Sequence, residues 1–129
     1  MPEKQPGART SSVDSLMFIG KIIGVRIDRP QGSRHPEHGF IYPVNYGYVP
    51  GVAGLDDEEL DAYVLGVDAP VERFTGQCIA VIQRLNDADD KLVVVPDGEN
   101  LTDEQIRGLT AFQEEFFESI IAREGMEPP

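Results

Sequence analysis

Basic residues are scarce in this chain of 129: 11 Lys and Arg stand against 23 Asp and Glu, for a formal net charge of −12. That balance excludes a nucleic-acid binder, which needs cations to displace the counterions around phosphate. It also excludes electrostatic docking on an anionic membrane. Cysteine is nearly missing. The single Cys78 cannot form an internal disulfide, and no zinc-type spacing exists. It lies in the run Cys78-Ile79-Ala80-Val81-Ile82 and reads as a small buried hydrophobe. The two histidines, His35 and His38, share one loop with no third nitrogen or sulfur ligand, so they read as loop histidines rather than metal ligands. No apolar run approaches the roughly 18–20 residues of a membrane span. Met1 to Ser15 is polar and lacks the apolar centre of a signal peptide, so a soluble cytoplasmic protein is expected. Three phosphate, calcium and nucleophile motifs are absent as well. Gly20-Lys21 lacks the upstream glycine and following Ser/Thr of a Walker loop. There is no Gly-x-Ser-x-Gly elbow. An EF-hand read from Asp56 would have Asp61 and Val67 where glycine and glutamate are required.

What is present suffices for one compact domain, with 40% hydrophobic residues over a length typical of single domains. The expected division is a flexible tail over 1–15, a domain over 16–125 and a short tail over 126–129. Met17 to Asp28 reads as the first ordered element. It is β-rich, and Gly20 and Gly24 within it suggest bulges or close backbone approach. Arg29 to Gly39 is an irregular loop rich in proline and glycine. Phe40 to Val49 is aromatic, with Tyr42, Tyr46 and Tyr48 spaced so that an extended chain projects them to one side. Tyr48 is assigned to core packing. Pro50 to Leu55 reads as a turn. Leu60 to Val67, Thr75 to Leu85 and Lys91 to Val95 read as strands. Thr102 with Gln105 makes a capping box. Ile106, Leu109, Phe112, Phe116 and Ile120 then form a helical stripe expected to end at Gly125. The residues alone therefore give a small β-sheet or barrel covered by one C-terminal amphipathic helix.

The charge is unevenly distributed: residues 1–55 carry a net +2 and residues 56–129 a net −14. Asp56-Asp57-Glu58-Glu59-Leu60-Asp61 packs five carboxylates into six residues, and Asp87, Asp89 and Asp90 cluster immediately before Lys91. Crowded carboxylates repel unless cations intervene, and hard divalent cations take oxygen ligands, often together with phosphate. If neighbouring strands join the clusters, they could build a multi-metal site able to clamp both oxygens of a displacement. A solvated acidic loop is the competing reading of any one cluster. Arg29 and Arg34, in the glycine-containing loop, are suited to bidentate phosphate contacts. Glu114, Glu115 and Glu118 on the final helix read as solubilising charge.

Taken in order, Tyr42-Pro43-Val44-Asn45-Tyr46-Gly47-Tyr48, the acidic run ending Glu59-Leu60-Asp61-Ala62, and Asp87 to Asp90 followed by Lys91-Leu92-Val93-Val94-Val95-Pro96 resemble the soluble family I inorganic pyrophosphatases. Ile27 to Pro36 resembles a compact bacterial subgroup. The resemblance implies an α+β, mainly β fold: a small five-stranded OB-like barrel with a C-terminal amphipathic helix. It implies Mg²⁺-dependent hydrolysis of pyrophosphate to two phosphates, with several Mg²⁺ per site and Mn²⁺ as a substitute, in a homo-oligomer. It places Asp56, Asp61, Asp87 and Asp89 as metal ligands and Glu58 as general base for the attacking water. Lys91, Tyr42 and Tyr46 fall at phosphate-contacting positions, and Asp28 at the cavity edge.

Four departures accompany the match, one of them a shorter loop at Asp87 to Lys91. Glu58 is one methylene longer than the aspartate the family carries. The chain between Asp28 and Tyr42 is shortened, removing a hairpin that bears a Lys and a Glu. Phe116 and Phe117 stand where the family's last helix presents a Tyr-Lys pair. Arg29 or Arg34 is expected to supply the missing positive charge. The expected function is therefore inorganic diphosphatase. The alternatives are a hydrolase of an organic pyrophosphate or nucleotide in the same scaffold, and a non-catalytic metal- or phosphate-binding module.

Overall fold

In a computed structural model, the described residues are 14–53, 59–85 and 89–123. A short 3-10 turn, Ser15–Phe18, is followed by β1 (Ile22–Arg29), β2 (Asn45–Ala53), β3 (Glu59–Val64), β4 (Arg73–Arg84), β5 (Lys91–Val95), the helix α1 (Asp103–Glu114) and β6 (Ser119–Ala122). β1 pairs antiparallel with both β2 and β4, β2 with β3, and β5 with β4, while β3 and β5 run parallel. The ring β1-β2-β3-β5-β4 closes on itself, giving the expected five-stranded barrel.

Strand patterning explains the closure. β1 alternates strictly, with Ile23, Val25 and Ile27 turned inward and the residues between them exposed. β5 is buried throughout. Leu92 and Val94 fill the barrel interior with Val64, Cys78 and Val81. Val93 and Val95 face outward into a second cluster, with Tyr63, Ile82 and, from α1, Ile106. A strand covered on both sides loses the polar alternation of a half-exposed one. The strand's strong apolar run, legible in the sequence, has this cause.

The close backbone approaches lie at glycines other than those expected. Gly20 takes a positive φ of 94° in a turn, and Gly24 keeps an unbroken register with Thr75. A Cβ on Gly47 would instead lie 1.9 Å from the Arg26 carbonyl oxygen, and one on Gly76 would lie 2.2 Å from that of Val95. Only glycine admits such contact. Gly47 is thus what lets β2 press against β1.

Three expected boundaries move. The tail expected over 1–15 gives way to ordered structure by Asp14, whose side chain caps the 3-10 turn, and Ser15 is buried. Pro50 to Ala53, expected as a turn, extends β2. The capping box is present, with Thr102 and Gln105 each satisfying the other's backbone N–H. The helix it starts nevertheless ends at Glu114 instead of running to Gly125. Ser119 to Ala122 forms β6 along the C-terminal half of β4, from Arg84 to Val81. That half of β4 lies beyond the reach of β1, which pairs only with Arg73 to Gln77. An unpaired edge offers backbone hydrogen bonds that outweigh a helical stripe containing β-favouring isoleucines. Phe116 accordingly lies 73% exposed rather than in a buried stripe. None of the described helices is long and apolar enough to cross a membrane.

Candidate active site

The parallel pairing of β3 with β5 places Asp61 opposite Lys91. The Lys91 side chain, 3% exposed, reaches Asp61 Oδ2 at 2.6 Å and Asp89 Oδ2 at 2.9 Å. The ammonium thus bridges carboxylates from the two acidic clusters, and the sheet register is what brings the clusters together. On β2 the Tyr46 hydroxyl donates to the same Asp61 oxygen at 2.9 Å. Burial, and then the Asp61 charge, push the Tyr46 phenol well above its ordinary range, so it remains a donor. The Tyr42 and Tyr46 rings stack at 5.7 Å. Tyr48 is half-buried and belongs to neither core cluster, contrary to the core assignment.

Arg84, at the end of β4, extends the network. Its Nη1 donates to Asp89 Oδ2 at 3.1 Å, while Nε and Nη2 grip the two oxygens of Glu114 at 2.9 Å each. The Tyr63 hydroxyl donates to Glu114 Oε2 at 2.7 Å and accepts from Gln113 Nε2 at 2.7 Å. Glu114, expected to be a solubilising surface charge, is therefore a buried ion-pair partner, 6% exposed. Glu114 and the burial of the ring raise the Tyr63 phenol as well, with burial the larger cause.

Arg84, Glu114, Tyr63 and Gln113 were not legible as site residues. Glu114 lies on a helix dense in glutamates, and nothing local marks it as the one turned inward. The usable signal for Arg84 is an arginine closing an apolar strand directly before an acidic loop.

Other expected residues divide. Asp28, beside the β1 bulge between Ile27 and Arg29, has its carboxyl raised by burial. Arg29 opposes that shift, and Asp61 and Glu59 add to it. It therefore shares the acidic edge with Asp61. Arg29 donates to the Asp28 carbonyl oxygen and lies beside Tyr42, whose phenol is raised by burial and partly restored by Arg29. Arg34 is exposed and donates to Gly39 within its own loop. Asp90 is buried and accepts from Ser15 Oγ at 2.6 Å, so it anchors the 3-10 turn. Asp56, Glu58 and Asp87 lie outside the described residues.

A cavity of about 630 Å³ opens over this network, lined by Lys91, Asp89, Arg84 and Tyr46 together with Phe116 and Phe117. His35 and His38 reach its rim. His35 Nδ1 accepts from the backbone N–H groups of Glu37 and His38, so its proton is assigned to Nε2. Among the described residues no three His, Cys, Asp or Glu side chains converge as a metal site. The described donor pair nevertheless suits a hard cation. Asp61 and Asp89 offer only oxygen, and both already turn toward one positive charge, the Lys91 ammonium.

The family model described as inorganic pyrophosphatase matches residues 21–122. No curated protein sequence matches significantly. Among solved structures, an inorganic pyrophosphatase from Ehrlichia chaffeensis superposes with a TM-score of 0.60 at 20% identity, covering 83% of this chain and 85% of that one. One from Neisseria gonorrhoeae gives 0.56 at 22% identity over 76% and 78% of the two chains. One from Thermus thermophilus gives 0.55 at 16% over 92% and 91%.

Proposed function

Because the chain belongs to the inorganic pyrophosphatase family, we propose that it hydrolyses pyrophosphate to two phosphates with Mg²⁺ at the cavity lined by Asp89 and Lys91, with Asp61 paired to the same lysine. The observation that carries the assignment is the Lys91 ammonium held between Asp61 and Asp89, because it joins an anion-binding cation to two oxygen ligands at one point. Asp61 and Asp89 would hold metal, together with Asp56 and Asp87. Bound divalent cations supply charge neutralisation and a more acidic water.

The chain's own residues then have separable tasks. Lys91 donates to a phosphate oxygen, and its burial fixes the ammonium in place. Tyr46 orients the Asp61 carboxylate by donating to it. Tyr42 and Arg29 lie beside Asp28, where they would contact a phosphate. Glu58 accepts the proton of the attacking water. Rate enhancement comes from positioning and from donors fixed where charge develops, as in phosphoryl transfer generally. A cytoplasmic location and a homo-oligomeric state accompany this reading, and light scattering checks the second. The direct test is phosphate release from pyrophosphate. Turnover is expected with Mg²⁺, and folded protein inactive with both Mg²⁺ and Mn²⁺ would end the reading.

One feature favours a second reading, in which the leaving group is organic. The cavity lining includes Phe40, Phe116 and Phe117 beside its charged groups, and Phe116 is largely exposed. Turnover of a nucleoside diphosphate faster than pyrophosphate would establish it.

A further inference from the structure

The site has few visible cations for a substrate as charged as pyrophosphate. Phe116 and Phe117 occupy positions where the resemblance calls for Tyr and Lys, and Arg34 is committed to its own loop. We propose that Arg84 is a substrate-binding residue that holds a phosphoryl group jointly with Lys91, and that Glu114 and Tyr63 position it. The identity of the ligand rests on the pyrophosphatase reading; the placement of the guanidinium does not.

A guanidinium has two forked edges and two flat faces. In Arg84 the Nε/Nη2 edge is locked on Glu114 by two parallel bonds of 2.9 Å, the fork-to-fork geometry that fixes orientation as well as distance. Glu114 is held in turn by Tyr63. One face of the guanidinium lies 3.7 Å over the Phe117 ring. A lysine at position 117 would set a like charge against that face, so Phe117 and Arg84 form a compatible pair. The remaining nitrogen, Nη1, meets Asp89 Oδ2, the oxygen that Lys91 also contacts. Arg84 and Lys91 therefore converge on one point of the cavity wall from β4 and β5. Asp89 would hold a divalent cation there, and a phosphate oxygen drawn to that cation would meet the Arg84 and Lys91 donors that converge on the same carboxylate.

A structural ion pair and a substrate ligand make different predictions. Removing Arg84 alone would leave Glu114 buried without its partner, so the informative variant is Arg84→Met with Glu114→Gln, which removes both charges together. Two affinities are measured by calorimetry: Mg²⁺ alone, and methylenediphosphonate, a non-hydrolysable diphosphate, at saturating Mg²⁺. Methylenediphosphonate is expected to bind about 10- to 100-fold more weakly, the range for losing a charged hydrogen bond. Mg²⁺ affinity is expected to be unchanged or tighter, since a competing cation has left Asp89. Unchanged diphosphonate affinity in a folded variant overturns the proposal, as does a parallel loss of Mg²⁺ affinity. If the double variant fails to fold, Arg84→Lys is judged by the same two affinities, because one ammonium cannot serve Glu114 and phosphate together. Wild-type protein that binds methylenediphosphonate without hydrolysing pyrophosphate would defeat the pyrophosphatase reading and leave the Arg84 comparison decisive.

Discussion

Asp61 Oδ2 accepts from Lys91 and from Tyr46, and the two donors need not carry equal weight. Both line the cavity, but Lys91 brings a positive charge and Tyr46 a neutral hydroxyl. A Tyr46→Phe variant keeps the stacked ring and loses only the hydroxyl. Outer partners of metal ligands typically matter by 10- to 100-fold, so turnover at limiting Mg²⁺ is expected to fall by about that factor. Excess Mg²⁺ should recover part of it, and a Mg²⁺ titration of activity checks both points. Asp61→Asn is expected to remove activity with the fold retained, verified by an unchanged circular dichroism spectrum.

Cys78 stands at the opposite extreme, inside the barrel. Burial pushes its thiol up to about 11, so alkylation of the native protein at pH 8 should be slow and should follow unfolding. The raised value also has a sign in stability. The unfolded thiol loses its proton first, so the contribution is complete below about pH 9 and is lost as pH rises through about 11. Its size is of order 2–3 kcal/mol. Tyr63, raised in the same direction, adds to alkaline unfolding. Thermal melts should therefore fall steeply between pH 9 and pH 11, and Cys78→Ala should flatten that slope while costing some stability at neutral pH.

At the scale of elements, loops are fastened to strands by few groups, and Asn45 shows how much can rest on one. It is fully buried at the start of β2. Its Oδ1 accepts from the backbone N–H of Gln31 at 2.9 Å and of Val71 at 3.3 Å, and its Nδ2 donates to the Ala69 carbonyl at 2.8 Å. Asn45→Leu would leave two part-buried N–H groups and a carbonyl without their partner, where full burial would cost about 1–3 kcal/mol each. A loss of about 1–3 kcal/mol in urea unfolding is expected. Ile106→Ala, on the buried face of α1, should cost about 2–5 kcal/mol by cavity formation.

These elements also mark what the sequence could and could not disclose. β5 was legible to the residue, because a short apolar run directly after an acidic loop leaves little choice of ends. The start of α1 was legible, because a capping box is a local event between Thr102 and Gln105. The end of α1 was not. Phe116 and Ile120 keep helical spacing, and only the unpaired half of β4, distant in sequence, redirects Ser119 to Ala122 into a strand. The site divides in the same way. Asp61, Asp89, Lys91 and Tyr46 were legible through linear motifs. Arg84 and Glu114 were not, because an ion pair between a strand end and a helix end has no linear signature.

At the scale of the whole molecule, the net charge of −12 sets a test that separates a metal site from general screening. Carboxylates brought together by folding repel, and a protein far from neutrality loses stability through that repulsion. Any salt relieves it in proportion to ionic strength. A cation bound only in the folded state acts differently. It adds RT ln(1 + [L]/Kd), about 2.7 kcal/mol at a hundredfold excess over Kd, and continues to rise logarithmically. For a domain of this size that corresponds to roughly 10 °C in melting temperature. Melts in MgCl₂ are thus expected to exceed those in NaCl of matched ionic strength, with EDTA removing the difference. Asp61→Asn should lose most of the Mg²⁺ increment and keep the NaCl increment, because it changes the net charge by one unit while removing an oxygen that faces Lys91 and Tyr46. Equal increments from the two salts in wild-type protein would mean that the acidic clusters act as diffuse charge and hold no Mg²⁺. A Mg²⁺ increment that survives in Asp61→Asn would move the binding site away from the junction of β3 and β5.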